Sequence, residues 1–297
     1  MIKQSLVALS LLAATAFAAE AKLNVVATTS SMGMLARVVA GDAAKITVLA
    51  PPDRDAHYLL AKPSIMFALR DAHPPRAVGA ELEVGWRPAA LQGANNPKIL
   101  PPRPGYFEGA AQIDLLGKGE AADRARGDVH PAGNPHYYMD PPRMARVARA
   151  LAARLATLDP AGAARYKANA EAFARDVAAR VPEWKRRAAG APGVVFFHKD
   201  GDYLAALLGV PILGYVEPLP GVPPTAAHLR ELVASLSGKR GAILYDSFHP
   251  GEGPRFLAKN LGWPERQLQL ECDLGADGKG YLDHIDRWVA AATGAAR

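Results

Sequence analysis

Cysteine is almost missing from this chain of 297 residues, Cys272 being the only one. No internal disulfide can form, so stability must come from packed cores. Beyond residue 18 there is also no long apolar run free of charge, which leaves no candidate for a membrane span of about 20 residues. Charge of one sign is not concentrated: a net +6 is spread along the chain. No run of Arg and Lys with interleaved aromatics appears, which argues against nucleic acid as a partner. Catalytic signatures are lacking too, with neither a His-Glu-x-x-His helix nor a Gly-x-Ser-x-Gly elbow in the sequence.

What the chain does have begins with MIKQSLVALSLLAATAFA, a Lys3-bearing start, an uncharged apolar run and Ala16-Phe17-Ala18. This is the pattern of a secretory signal peptide over 1–18 with cleavage after Ala18. No cysteine lies near that position to carry a lipid anchor, so the expectation is a soluble, exported, periplasmic protein. The length that remains suits two domains.

Short β-branched runs alternate with helical patterns, the mark of parallel α/β units. In the first half, strands are expected at Leu23–Thr28, Ile46–Ala50 and Arg76–Gly79, with helices near Met32–Val39 and Pro63–Ala72. In the second half, strands are expected at Val194–His198, Val210–Tyr215, Ala242–Tyr245 and Gln267–Cys272, with helices near Gly201–Leu208, Thr225–Ser237, Pro254–Leu261 and Tyr281–Ala292. Between the halves, Asp140 caps a helix that tolerates Pro141 and Pro142 in its first turn and runs to about Leu158. Asp159-Pro160 repeats that start. Tyr166, Ala170, Phe173, Val177, Val181 and Trp184 then recur at steps of three or four, a long helix to about residue 187 that Val181-Pro182 could bend or shorten. The predicted fold class is α/β: an N-terminal lobe over 19–140, a helical segment over 141–189 and a C-terminal lobe over 190–297. Each lobe has a small, mostly parallel sheet, and one long linker helix acts as a strut between them.

Three of the eight histidines stand just past expected strand ends, where α/β folds place ligands. They are His57 in LAPPDRDAHYLLAKPS, His136 in GNPHYYMDPPRM and His198 in VVFFHKDGDY. Asp273, in LQLECDLGADG, has a similar place. Neutral imidazoles suit zinc and other late first-row ions, and one carboxylate would complete a tetrahedron at net +1. Asp53, Asp55 and Asp140 are candidates to orient the rings. Each histidine taken singly is also compatible with a packed or solvated role, and the long-range spacing does not by itself decide.

The stretches VLAPPDRDAHYLLAKPS, GNPHYYMDPPRMARVARALAARLATLDP, VVFFHKDGDYLAALLGVPI and CDLGADGKGYLDHID resemble, in order, landmarks of the zinc- and manganese-binding periplasmic proteins that feed ABC transporters, the cluster A-I solute-binding family. The resemblance implies two α/β lobes joined by one long helix, with a metal site in the cleft. Its histidine ligands fall on His57, His136 and His198, and its carboxylate on Asp273. Histidine at the third position resembles the zinc pattern, so Zn2+ is the expected cargo ahead of Mn2+ or Fe2+. The implied partner is an ABC transporter membrane permease, with a periplasmic metallochaperone as a further one, and the protein is expected to be a monomer. Two departures stand out: Ala56 precedes His57 where the family has proline, and the loop at 117–135 holds one histidine, His130, where many zinc members have several.

Other groups near the expected cleft are His130 as an accessory ligand, Asp246 as the rival to Asp273, and His249 and Glu217 as lining or supporting residues. Cys272 is read as buried and apolar in character, and His73, His228 and His284 as surface residues. Two other classes compete with the receptor reading: a zinc-dependent periplasmic hydrolase, which would need an open coordination position and a base such as Glu217 or Asp246, and an adhesin or metallochaperone on the same fold.

Overall fold

The computed structural model describes residues 22–72, 75–77, 79–119 and 129–294. The expected signal segment at 1–18 and His73 lie outside them. In the first half, β1 (Leu23–Ala27), β2 (Ala44–Val48), β3 (Pro75–Ala77) and β4 (Phe107–Glu108) form a sheet in the order β2-β1-β3-β4. In the second, β5 (Val194–Phe196), β6 (Ile212–Tyr215), β7 (Ala242–Asp246) and β8 (Glu265–Leu268) take the order β6-β5-β7-β8. Every pairing is parallel. Both sheets therefore have the same switch in strand order beside their first strand, with a crevice at the carboxyl ends.

The helices follow from their caps and apolar faces. Thr29 accepts from the Met32 amide at the start of α1 (Ser30–Ala40). In the first half come α2 (Pro63–Arg70) and α3 (Arg87–Ala94). Asp140 accepts from the Arg143 amide to open α4 (Pro141–Leu158), and Pro141 sits where no intrahelical donor is needed. A short 3-10 turn at Pro160–Gly162 leads into α5 (Ala163–Ala188), which at 26 residues is about 39 Å long. Tyr166, Ala170, Phe173, Val177 and Trp184 form its buried face. The second half carries α6 (Asp202–Leu208), α7 (Ala226–Leu236), α8 (Glu252–Leu261) and α9 (Gly278–Ala292).

The α/β class, the two small parallel sheets and the long central helix are those expected from the sequence, with three differences in detail. Neither α3 nor the two-residue β4 has a readable periodicity. Pro182 lies inside α5 without ending it, because Pro182 and the Ala178 carbonyl it leaves unbonded are both on the exposed side, where water can reach. The last strand stops at Leu268, whereas the alternation in Gln267–Cys272 suggested that it continued; the chain bends at Leu270 and Glu271. The two halves also share one apolar core, which runs from Met32 and Leu35 through Leu151 and Trp184 to Leu244 and Trp288. Among the described residues no helix is long and apolar enough to cross a membrane.

Candidate metal centre

Local backbone geometry brings three histidines to the crevice. His57 lies in a 3-10 turn at Ala56–Tyr58, and His136 immediately precedes another at Tyr137–Met139. His198 follows β5 by two residues and starts a third, at Lys199–Gly201. A Cβ at Gly201 would lie 2.2 Å from the Phe196 ring, so glycine allows this last turn to pack on the strand end.

The turns before His57 and His136 are built alike. Asp55 Oδ1 accepts from the His57 amide at 2.9 Å and lies 2.6 Å from its Nδ1. Asn134 Oδ1 accepts from the His136 amide at 2.9 Å and lies 3.0 Å from its Nδ1. In each case an Asx side chain two residues upstream bends the backbone and pins the ring together. His198 Nδ1 is held instead by Glu217 Oε2, at 2.9 Å. With every Nδ1 engaged by an oxygen, every Nε2 is left to face a shared centre, the arrangement by which histidine ligands are oriented around metals.

The ring centroids are 5.4 Å apart for His57 and His136, 5.1 Å for His136 and His198, and 5.9 Å for His57 and His198. One nitrogen of each lies within 4.8 Å of the others. His130 lies outside that group of nitrogens but approaches it from the loop, its Nε2 3.1 Å from His57 Nε2. That separation is close to the roughly 3.3 Å edge of a tetrahedron with metal–nitrogen bonds of about 2.05 Å.

Burial and the neighbouring imidazoles His198, His57 and His130 hold His136 well below the usual histidine range, so its ring is neutral and its lone pair available. Burial works to raise the Asp55 carboxyl. The hydrogen bonds and charge of His57 outweigh it and keep Asp55 an anion below the ordinary range.

The rings of His57, His136 and His198 line a cavity of about 260 Å3 that also holds Asp55, Tyr138, Phe248 and Glu271. The family model for "ZnuA: Zinc-uptake complex component A periplasmic" matches residues 25–294. The chain belongs to this family. A crystal structure of ZnuA superposes with a TM-score of 0.76 at 20% identity, covering 91% of this chain and 99% of that one. The solute-binding protein FpvC from Pseudomonas aeruginosa, in complex with Mn2+, gives 0.76 at 19% identity, covering 92% and 98%. The laminin-binding protein Lmb of Streptococcus agalactiae gives 0.74 at 19%, covering 92% and 98%. ZnuA-family proteins are periplasmic metal-binding receptors of transport systems and not enzymes, which sets the hydrolase reading aside.

In this ZnuA-family chain the fourth expected residue is elsewhere. Asp273 is exposed, and its Oδ1 accepts from Gln269 Nε2 at 3.1 Å. The early end of β8 is the physical reason: the bend at Leu270 and Glu271 turns Glu271 into the cavity and carries Asp273 past it. Glu271 was not read from the sequence. Its Oε2 accepts from the Ser31 amide at 2.6 Å, its Oε1 meets no donor among the described residues, and burial raises its carboxyl to about 7.

Asp246 and His249 do line the cavity, together with Asp200, which was also missed. Glu217 has the supporting role described above, whereas Asp140 is committed to the α4 cap and to Arg143. Cys272 is fully buried with its thiol 3.8 Å from Ser31 Oγ, and burial pushes its pKa up to about 12, so it behaves as the apolar residue expected. His284 is a correction: it is buried, not on the surface, with Nε2 3.0 Å from the Leu270 carbonyl oxygen. His228 is half-buried against the Tyr215 carbonyl.

Proposed function

We propose that this protein is an exported periplasmic receptor that captures Zn2+ through His57, His136 and His198 and hands it to the membrane permease of an ABC transporter. The observation that supports this reading is the convergence of three imidazoles from both halves of the chain, each with its Nδ1 held by an oxygen. His130 Nε2 takes the fourth position, since Asp273 faces away. An all-nitrogen set favours Zn2+ over Mn2+ and Fe2+, because imidazole suits late first-row ions and carboxylate-rich sets suit Mn2+. Four protein ligands with no open position suit holding the ion rather than activating water on it.

Elemental analysis and chelator-competition binding on metal-stripped protein test this, beside His136→Ala. The expected result is one tightly held Zn2+ in the wild type, with affinity in the variant falling further than the roughly 10–100-fold that loss of an outer hydrogen bond costs. Equal, weak Zn2+ binding by both proteins would sink the site.

A further inference from the structure

A second group of ligand-type side chains lies on the C-terminal side of the same cavity. Asp200 belongs to the 3-10 turn after His198, Asp246 is the last residue of β7, and His249 follows it by three residues. One atom from each lies within 4.8 Å of the others. Asp200 is 1% and Asp246 0% exposed, and all three residues line the cavity. His249 is stacked on Phe197 at 4.1 Å between ring centroids and its Nδ1 lies 3.0 Å from Asp246 Oδ1.

What separates this cluster from an ordinary structural network is how few donors its carboxyl oxygens meet outside the cluster itself. Asp246 Oδ1 accepts from the amides of Phe248 and His249 at 3.2 and 3.1 Å. Asp200 and Asp246 face each other within hydrogen-bond reach, and burial raises both carboxyls. Apart from a proton shared between them, no donor among the described residues reaches either oxygen of Asp200 or Oδ2 of Asp246, although these atoms are shielded from solvent. Buried carboxylate oxygens need a donor or a cation, because desolvation is otherwise uncompensated. Two facing carboxylates without a cationic side chain between them are the environment that a divalent ion relieves.

We propose that Asp200, Asp246 and His249 form a second divalent-cation site in the cleft, beside the histidine cluster and of different chemistry. The rings of His198 and His249 are 6.0 Å apart, so the two sites are neighbours. Two carboxylate oxygens and one imidazole form a harder donor set than the neighbouring imidazoles, better suited to Mn2+ or Fe2+ in relation to Zn2+. The two carboxylates neutralise the ion they hold, which limits its repulsion of an ion on the histidines. The cleft then holds a nitrogen-rich and an oxygen-rich position side by side, and the second binds more weakly when the first is filled.

The test is equilibrium dialysis of metal-stripped protein against Mn2+ and, separately, Zn2+, with elemental analysis of bound metal and circular dichroism to check folding. Wild-type protein is expected to take up two equivalents of either ion. Asp200→Asn, which keeps the shape and removes the charge, and His249→Gln, on a different segment, should each lose the same single equivalent and keep the tight Zn2+. His136→Ala should show the reverse, keeping the Mn2+ equivalent held by the carboxylates. Saturation of the wild type at one equivalent, or a second equivalent untouched by both Asp200→Asn and His249→Gln, would overturn the proposal. Failure of the histidine site would show separately, as a tight Zn2+ unaffected by His136→Ala.

Discussion

At the scale of single residues, the centre depends on atoms that do not face the metal. A histidine ring has two edges, and fixing the Nδ1 edge decides where Nε2 points. Asp55, Asn134 and Glu217 do this for His57, His136 and His198. Removing one leaves the ligand in place with its ring free to turn, so Glu217→Ala and Asn134→Ala should each weaken Zn2+ binding about 10–100-fold. Competition against a chromophoric chelator measures this, and unchanged affinity in both variants would mean that the rings are held by packing alone. His57 and His198 were legible because they follow β-branched runs, whereas His136 follows no strand and was legible from its Pro-His-aromatic motif. The spacing that pins two of them was also present, in Asp55-Ala56-His57 and Asn134-Pro135-His136, where an Asx residue stands two positions before a histidine. The residue that β8 delivers to the cavity is Glu271, while Asp273, two positions on, is exposed, because an alternating sequence does not reveal where a strand bends.

At the scale of elements, what carried best were the helices whose ends are marked by a capping side chain. Asp140 and Asp159 start α4 and the turn before α5 as their position before prolines implies, and the buried face of α5 follows its apolar spacing. Short pieces such as β4 and α3 owe their form to neighbours and leave little periodic trace. In α9 the sequence hid a buried histidine. His284 stands on a face with Tyr281, Leu282, Ile285 and Trp288, and burial lowers its pKa from 6.5 to about 4 despite the bond to the Leu270 carbonyl. The unfolded chain takes up a proton there near pH 6.5 and the folded one only near pH 4. Stability from this group is therefore complete above about 6.5 and is lost as pH falls toward 4, by roughly 2 to 3 kcal/mol at pH 4.5. His284→Gln, which cannot titrate, should gain about that much on the wild type between pH 7.5 and 4.5 in urea unfolding. A constant difference between the two proteins across that range would show that His284 titrates normally.

At the scale of the whole molecule, the two sheets are parts of one packed body. The Ser31 amide at the start of α1 donates to Glu271 Oε2 at 2.6 Å, Arg37 Nε donates to the Ala276 carbonyl at 3.1 Å, and the Tyr281 hydroxyl donates to the Tyr138 carbonyl at 2.7 Å. Each bond crosses from one half of the chain to the other, beside a core that does the same. A wide hinge would have to break these bonds and expose that core, whereas a movement confined to the segments that carry His57 and His130 leaves both intact. Metal release is therefore expected to be a local event. Small-angle scattering should give the same radius of gyration for metal-stripped and Zn2+-loaded protein, while the thermal midpoint rises with Zn2+ concentration, as it must for a ligand that binds the folded state alone. Expansion on stripping, reversed by Zn2+, would instead mean that the bonds across the halves form only when the ion is in place.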